Sequence, residues 1–279
     1  MNKKMLALYS LKYNPFSPEA PTQDMFVSPE IESFCWRIEH QVGEGGFACV
    51  TGDPGTGKSV AWRILATRLG AMRDVSVGIL TRPQAIVADF YRELGDIFGV
   101  ALSPHNRWAG AKALREKWLA HIDAALYRPV LLIDEAQEMT NPAFSELRLL
   151  SSANLDARSI LTIVLAGDGR LAAKLASPEL LPIGSRIRAR LRTEYTTPVQ
   201  LRKCLTHVMS QAGNQKLISA DLIATLCEHA AGNYRVLMNM ANELLSTALH
   251  RELDQIDEKL FFEVFALDPK SAAGRKAQQ

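Results

Sequence analysis

The hydrophobic pattern of the chain changes near residue 197. Before that point, short apolar and β-branched runs alternate with longer stretches of helical periodicity, and after it only helical periodicity remains. Strands that alternate with helices are typical of βαβ units, in which helices cover both faces of a parallel sheet. The pattern therefore predicts an α/β domain with a five-stranded parallel sheet, followed by a small helical domain.

Five runs are candidates for the strands of this sheet. The third, PVLLI, is apolar throughout, as expected for a strand buried on both faces. The fifth is the weakest, because its sequence TEYTT is largely polar. The predicted strands are 47–51, 75–80, 129–133, 159–167 and 193–197. Helices are predicted before the first strand, from Ser28-Pro29-Glu30 to about Val42, and between the strands near 59–70, 84–98, 109–126 and 141–153.

The same pattern sets the predicted domain limits. An irregular lead-in, rich in proline, precedes the first helix start at Ser28-Pro29-Glu30. A short basic and polar segment, predicted to be disordered, ends the chain. The predicted limits are 1–27 for the lead-in, 28–197 for the α/β domain, 198–267 for the helical domain and 268–279 for the tail. Helices in the helical domain are predicted near 199–213, 219–230, 233–251 and 257–266.

Composition narrows the class of protein only slightly. The 279 residues are 47% hydrophobic and 22% charged, with a net charge of +2, so any basic surface must be local. The four cysteines lack the spacing of a metal site or a disulfide framework. The apolar runs are shorter than the ~20 residues of a spanning helix. These features predict a cytoplasmic protein.

The strongest chemical signal lies between the first strand and the following helix. Residues 52–59, GDPGTGKS, match the pattern G-x-x-x-x-G-K-[ST] at every fixed position. Glycines let successive N–H groups turn toward phosphate oxygens, and the helix that follows adds its positive end. Lys58 is predicted to reach the β- and γ-phosphates, and Ser59 to ligate Mg²⁺. The predicted nucleotide-binding residues are Gly52, Asp53, Pro54, Gly55, Thr56, Gly57, Lys58, Ser59 and Val60.

Two adjacent acids follow the third strand. Asp134 and Glu135 come directly after the apolar run VLLI. Ligands gather at the carboxyl ends of parallel strands, so these acids are expected near the glycine-rich loop. We predict that Asp134 holds Mg²⁺, directly or through water, and that Glu135 polarises an attacking water. The alternative is that the two acids only begin a solvated loop.

In these motifs, the chain resembles the AAA+ ATPases. Within them it is similar to the group that contains the secretion ATPase ExeA and the transposition regulators TnsC, TniB and IstB. The resemblance covers residues 8–250 and implies that the cofactors are ATP and Mg²⁺. Its supporting segments are LYSLKYNPF at 8–16, the glycine-rich loop, DEAQ at 134–137, SRIRAR at 185–190 and GNYR at 232–235.

The resemblance implies roles for two sets of arginines. Arg186, or with less support Arg188 or Arg190, would be the arginine finger that reaches the γ-phosphate of a neighbouring subunit. Arg235 would sense the nucleotide from the helical lid. The alternatives are that SRIRAR forms a basic solvated helix face or contacts nucleic acid, and that Arg235 only pairs with a carboxylate of the lid.

The resemblance also concerns three other positions. Asn14 and Phe16 would lie along the adenine. Asp168 follows the fourth strand, where the family often has an asparagine or glutamine as a polar sensor. An acid close to the γ-phosphate repels it unless it is paired, so slow hydrolysis is consistent with this departure.

A finger that acts in trans implies a head-to-tail ring or helical filament. We expect a regulator of DNA transposition that loads on duplex DNA and directs a transposase, because ExeA-type ATPases continue into a membrane span and a peptidoglycan-binding domain that we do not expect here. Arg82 and Arg107 are predicted to contact DNA phosphates. The alternatives are an ATPase that acts on a protein partner in secretion or assembly, and a signalling switch in which ATP binding alone orders the oligomer.

Overall fold

The computed structural model describes residues 3–81, 83, 86–102, 107–125, 127–153 and 158–265. The chain divides into two compact units. Val27–Glu194 forms one, here called the α/β unit. Met1–Phe26 and Tyr195–Gln279 together form the other, here called the helical unit. The N-terminal segment therefore groups with the C-terminal helices.

The α/β unit contains the predicted five-stranded parallel sheet, in the order β2-β3-β6-β1-β7. Its strands are β1 (Gly46–Gly52), β2 (Val75–Leu80), β3 (Arg128–Ile133), β6 (Thr162–Gly167) and β7 (Ile187–Thr193). A separate antiparallel pair joins β4 (Ser152–Ala153) to β5 (Arg158–Ser159). The helices are α2 (Pro29–Gln41), α3 (Lys58–Ala71), α4 (Val87–Phe98), α5 (Arg107–Ala125), α6 (Asn141–Ser151), α7 (Gly169–Leu175) and α8 (Leu181–Gly184).

Apolar side chains bury both faces of the sheet. On one face α2 and α3 pack against the strands, and Phe34 and Leu65 are fully buried there. On the other face α4, α5 and α6 contribute Phe90, Trp118 and Phe144 to a second apolar layer. Burial of such large side chains on both faces is the main stabilising term for a parallel sheet.

The strand order determines which loops meet. β6 lies between β1 and β3, and all three are parallel. Thr51 of β1 pairs with Gly167 of β6, and Ile133 of β3 pairs with Leu165. The loops that follow β1, β3 and β6 therefore emerge side by side at the carboxyl edge of the sheet.

The prediction of the fifth strand was wrong in its position. The strand is β7, Ile187–Thr193, rather than 193–197. Exposed arginines alternate along β7 with buried residues, which is the period of an edge strand with one solvated face. This alternation excludes the basic helix face that was one alternative for SRIRAR. The exposed residues are Arg188, Arg190 and Arg192, and the buried ones are Ala189, Leu191 and Thr193.

Other boundaries also differ from the prediction. The fourth strand of the sheet begins at Thr162 rather than at residue 159, because Ser159 pairs with Ser152 in the separate β4–β5 pair. The short helices α7 and α8 were not predicted, since each presents too few turns for a clear periodicity.

The helical unit consists of α1 (Lys3–Tyr9), α9 (Pro198–Ala212), α10 (Ala220–His229), α11 (Tyr234–Arg251) and α12 (Glu258–Phe265). The side chains of Thr197, Ser219 and Asn233 accept hydrogen bonds from main-chain N–H groups at the starts of α9, α10 and α11. These caps satisfy donors that lack a partner inside the helix, so they fix where each helix begins.

The segment predicted as an irregular lead-in contains α1. Met5 and Tyr9 of this helix are buried in the core of the helical unit. The Asn214 side chain donates to the Tyr9 carbonyl at 2.8 Å, and Lys12 N donates to Ala212 O at 2.9 Å. A helix this short depends on such packing rather than on its own propensity. The predicted tail at 268–279 lies outside the described residues.

Across the described ranges, no helix is both long and apolar enough to cross a bilayer.

The buried Tyr9 gives a test of how α1 contributes to stability. Replacing Tyr9 with alanine should reduce the free energy of unfolding by about 3–5 kcal/mol, because a large buried ring is removed. Tyr9→Phe is the matched control. The buried Tyr9 hydroxyl has no hydrogen-bond partner among the described residues, so its removal should leave stability unchanged or slightly higher. Urea denaturation followed by circular dichroism measures both changes. An alanine variant as stable as the wild type would show that α1 does not support this core.

Candidate nucleotide-binding site

The glycine-rich loop joins the end of β1 to the start of α3. Gly55 has a φ of 84° and Gly57 a φ of 105°, a region that residues with a side chain rarely adopt. A Cβ atom added to Gly57 would have no heavy atom within 4 Å. The glycine is therefore required by the backbone conformation rather than by packing, and the space beside the loop is open at the start of α3.

The loop is braced against the edge strand β7. A Cβ atom on Gly52 would lie 2.1 Å from Thr193 Oγ1, so only glycine lets the ends of β1 and β7 approach this closely. The Thr56 hydroxyl donates to the Asp53 carbonyl at 2.7 Å and shares a hydrogen bond with the Thr193 hydroxyl at 2.6 Å. Thr56 is 4% exposed, and its side chain therefore supports the loop from within.

Lys58 lies across the same loop. Its Nζ donates to Gly52 O at 2.6 Å and to Asp53 O at 2.8 Å. Ser59, on the first turn of α3, is exposed. The two predicted phosphate- and metal-binding side chains thus both lie at the positive end of α3.

The acid pair lies at the carboxyl edge of the sheet, on the strand that is separated from β1 by β6 alone. Asp134 Oδ1 accepts a hydrogen bond from Glu135 N at 2.9 Å. Desolvation raises the pKa of Asp134, as does the charge of Glu135, while this hydrogen bond and the charge of Lys58 lower it. The carboxylate is therefore within electrostatic range of the loop lysine, and a bound cation would favour its ionised form.

Glu135 has an unusual backbone conformation. Its φ is 48°, in the left-handed region that non-glycine residues seldom occupy. Such a conformation costs on the order of 1–3 kcal/mol, and such conformations cluster at functional sites. The Glu135 side chain is exposed, and its Oε2 accepts a hydrogen bond from Gln137 Nε2.

Gln137 is a site residue that the sequence interpretation missed. It is 7% exposed, and its Oε1 accepts a hydrogen bond from Asp168 N at 3.3 Å. One buried amide thus connects the acid pair to the end of β6. The available signal was the long polar side chain that ends DEAQ, between the buried residues Ala136 and Met139.

Asp168 is paired within its own segment. It caps α7, with Oδ1 accepting from Arg170 N at 2.9 Å and Oδ2 from Arg170 Nε at 2.8 Å. Arg170 also pairs with Glu138 at 2.8 Å. An acid near the γ-phosphate repels it unless the acid is paired, and Asp168 is paired.

The three candidate finger arginines lie in different surroundings. Arg186 directly precedes β7, and its Nη1 donates to Pro182 O at 2.5 Å. Arg188 pairs with Glu44 at 2.8 Å, and Arg190 Nη2 donates to Gly184 O at 2.7 Å. Because β7 is parallel to β1, Arg186 lies at the amino edge of the sheet, about 20 Å from the carboxyl edge for a strand of this length.

The remaining predicted residues are placed as follows. Arg235 is exposed in the first turn of α11, where its N–H donates to Asn233 Oδ1 at 2.9 Å. Asn14 Nδ2 donates to Asn242 Oδ1 at 2.8 Å, and Phe16 is buried in the core of the helical unit. The adenine and sensor roles of these residues stay predictions.

The two predicted DNA contacts remain untested. Arg82 lies outside the described residues. Arg107 is the first residue of α5.

Known proteins that are similar to this chain include AAA domains. Residues 40–175 match a family model described as AAA domain. The general secretion pathway protein A of Aeromonas hydrophila is 29% identical over 187 residues, which cover 65% of this chain. The chain spans about a third of the length of that relative, since the match covers 33% of it.

Solved structures show the same fold at low sequence identity. The origin recognition complex of Drosophila bound to DNA is 15% identical, with a TM-score of 0.69, over 98% of this chain and 68% of that one. Cdc6p of Pyrobaculum aerophilum is 15% identical with a TM-score of 0.65, over 90% and 68%. The RuvB Holliday junction branch migration motor of Thermotoga maritima is 16% identical with a TM-score of 0.58, over 91% and 74%.

The glycine-rich loop, the adjacent acid pair and the sheet order agree with these matches. Residues 40–175 therefore match an AAA domain, and the fold is the P-loop AAA+ fold that the motifs predict.

Proposed function

We propose that this protein is an ATP-binding and ATP-hydrolysing regulator of DNA transposition that oligomerises on duplex DNA and recruits or activates a transposase. The observation that carries the ATPase part is the position of the glycine-rich loop and the acid pair at one edge of one sheet. The DNA and transposase parts rest on the resemblance of the motifs and on the fold.

The residues at the carboxyl edge of the sheet fit a nucleoside triphosphate with Mg²⁺. The open side of the loop at Gly57 and the start of the 14-residue helix α3 offer main-chain donors to phosphate oxygens. Ser59 and Asp134 supply hard oxygen ligands of the kind that Mg²⁺ prefers, and phosphate and water oxygens would complete its coordination. Bound Mg²⁺ would neutralise charge on the phosphates during transfer.

The side chains then have separate tasks. Lys58 would leave the carbonyls of Gly52 and Asp53, which it now contacts, for the β- and γ-phosphates. Glu135 would take a proton from the attacking water. Asp168 would add less repulsion than an unpaired acid, because it is paired with Arg170.

The proposed finger is Arg186. From the amino edge of the sheet it is too far to serve the phosphate loop of its own subunit, so it would act on a neighbour. Arg186 contacts the Pro182 carbonyl, Arg188 pairs with Glu44 and Arg190 contacts the Gly184 carbonyl, so the choice among the three rests on the motif and not on a lack of partners. A site completed in trans makes head-to-tail assembly, as a ring or a helical filament, a requirement for hydrolysis.

Two observations bear on the partner. Two structures of similar fold are described as bound to DNA, and another as a Holliday junction motor, which supports DNA as the partner. The similarity to a secretion pathway protein favours the second candidate, an ATPase that acts on a protein partner in secretion or assembly. Fold alone does not decide between partners, so the choice requires an experiment.

Replacement of Lys58 tests nucleotide binding. Lys58→Ala should weaken ATP binding by roughly 10- to 100-fold, because charge-assisted hydrogen bonds to the phosphates are lost. Lys117→Ala is the matched control. Lys117 also donates to two main-chain carbonyls, those of Phe98 and Gly99, but it is remote from the loop, so its loss should leave affinity unchanged. Calorimetric titration with a non-hydrolysable ATP analogue and Mg²⁺ measures both. Equal losses in the two variants, or none in either, would refute the assignment of Lys58.

Mixed assemblies test whether Arg186 acts in trans. Arg186→Ala should lower the rate of hydrolysis by about 10³-fold or more, as expected for an arginine finger. Lys58→Ala subunits keep Arg186, so adding them should restore hydrolysis at the intact sites of Arg186→Ala subunits. Arg188→Ala, two residues further along the chain, is the control and should hydrolyse ATP normally. Failure of the mixture to regain activity would exclude a finger in trans.

The response to DNA distinguishes the two candidate functions. With a non-hydrolysable ATP analogue, the protein should bind duplex DNA and form rings or filaments visible by electron microscopy. Arg82→Ala should reduce the slope of log affinity against log salt by about 0.9, as for one lost phosphate contact. Binding of ATP without any binding of duplex DNA would favour a protein partner instead.

A further inference from the structure

Gln137 connects the acid pair to the segment that follows β6. Its Nε2 donates to Glu135 Oε2, and its Oε1 accepts from Asp168 N at 3.3 Å. At 7% exposure the amide is nearly removed from water, so each of these hydrogen bonds matters more than it would at the surface.

The orientation of this amide is determined by its two partners. The main-chain N–H of Asp168 can only donate, so the carbonyl oxygen of the amide must face it. The NH₂ group is then directed to Glu135, whose ionised carboxylate can only accept. Reversing the amide would break both hydrogen bonds, so one orientation is strongly preferred.

The surrounding backbone leaves room for the amide and restrains it. A Cβ atom on Gly167 would lie 2.3 Å from Gln137 Oε1, so glycine at the end of β6 makes the contact possible. Lys174 of α7 donates to Gln137 O at 3.1 Å and to Met139 O. The segment after the acid pair is thus held to α7 by main-chain and side-chain contacts together.

We propose that Gln137 is a positioning residue for ATP hydrolysis, which holds one oxygen of Glu135 so that the other can accept a proton from the attacking water. This inference rests on the proposed function. Because the amide also binds the N–H of Asp168, a shift of the β6–α7 junction would move Glu135 as well. The chain continues from α7 through α8 to Arg186, so this junction lies on the segment that carries the proposed finger.

Gln137→Met is the direct test, since methionine keeps the length of the side chain but makes neither hydrogen bond. We expect kcat to fall by roughly 10- to 100-fold, because a small displacement of a catalytic group is costly. The Kd for ATP should stay within about 3-fold of the wild-type value, since Gln137 is not expected to contact the nucleotide. A kcat within about 3-fold of wild type, or above it, would overturn the proposal.

Gln41→Met is the matched control. Gln41 is also buried in the α/β unit, at 8% exposure, and donates to Phe47 O at 3.3 Å. Its replacement removes a buried amide of the same kind away from the acid pair, so kcat should not change. Thermal denaturation of both variants shows whether either effect is only a loss of stability.

A double-mutant cycle separates positioning from general support of the fold. Glu135→Gln alone should lower kcat by about 10²–10⁴-fold. If Gln137 acts through Glu135, adding Gln137→Met to this variant should cause little further loss. Losses that multiply would show that Gln137 acts independently of Glu135 and would contradict the proposal.

Gly167→Ala provides a second route to the same displacement. The added methyl group would meet the end of the Gln137 side chain at 2.3 Å and Leu171 at 3.0 Å, and it changes no residue of the acid pair. It should therefore reproduce the fall in kcat, with little effect on ATP affinity. An unchanged kcat in this variant would count against the proposal.

Nuclear magnetic resonance distinguishes this inference from the proposed function. The side-chain amide signals of Gln137 should shift in Glu135→Ala and stay unchanged in Glu39→Ala, with or without hydrolysis. If the Gln137 amide signals do not shift in Glu135→Ala, the positioning role is wrong even where ATP is hydrolysed. If the contact is present but wild-type protein binds ATP without hydrolysing it in the presence of DNA, the proposed ATPase function is wrong, and the role of Gln137 with it.

Discussion

The main-chain N–H groups at the start of α3 are the constraint on which the rest of the site depends. A helix leaves its first donors without partners inside the helix, and the positive end of its dipole adds to their attraction for an anion. The left-handed glycines at 55 and 57 turn the loop so that the space beside these donors stays open. In the described structure Lys58 lies over the loop carbonyls. An anion bound beside the loop would therefore accept hydrogen bonds from the main-chain N–H groups and from the ammonium group of Lys58.

Parallel strand order brings the other parts to the same edge. β1 delivers the loop, β3 delivers Asp134 and Glu135, and β6 delivers Asp168. β7 connects this edge to the opposite one. Its last residue, Thr193, braces the loop through Thr56, and its first residue follows Arg186. The same strand therefore supports the nucleotide site of one subunit and carries the proposed contact to the next.

The sequence predicted the features that depend on local patterns. The glycine-rich motif and the apolar run before Asp134 each lie within one short segment, and their chemistry follows from residue type and spacing. The hydrogen bond between Asp168 N and Gln137 Oε1 spans 31 residues, and the one between the hydroxyls of Thr56 and Thr193 spans 137. Neither hydrogen bond produces a pattern within a short segment of the sequence. The helix α1 was missed because its seven residues owe their order to tertiary packing. The alternating arginines of β7 carry a period of two, which is the local signal for this strand.

A structure of the protein with Mg²⁺ and a non-hydrolysable ATP analogue is the most direct test of the central claim. The account predicts that the β- and γ-phosphates lie within hydrogen-bond distance of the N–H groups at the start of α3. It also predicts that Ser59 and Asp134 lie at the metal and that Lys58 has left the carbonyls of Gly52 and Asp53. A nucleotide bound elsewhere, with the loop unchanged, would contradict the account.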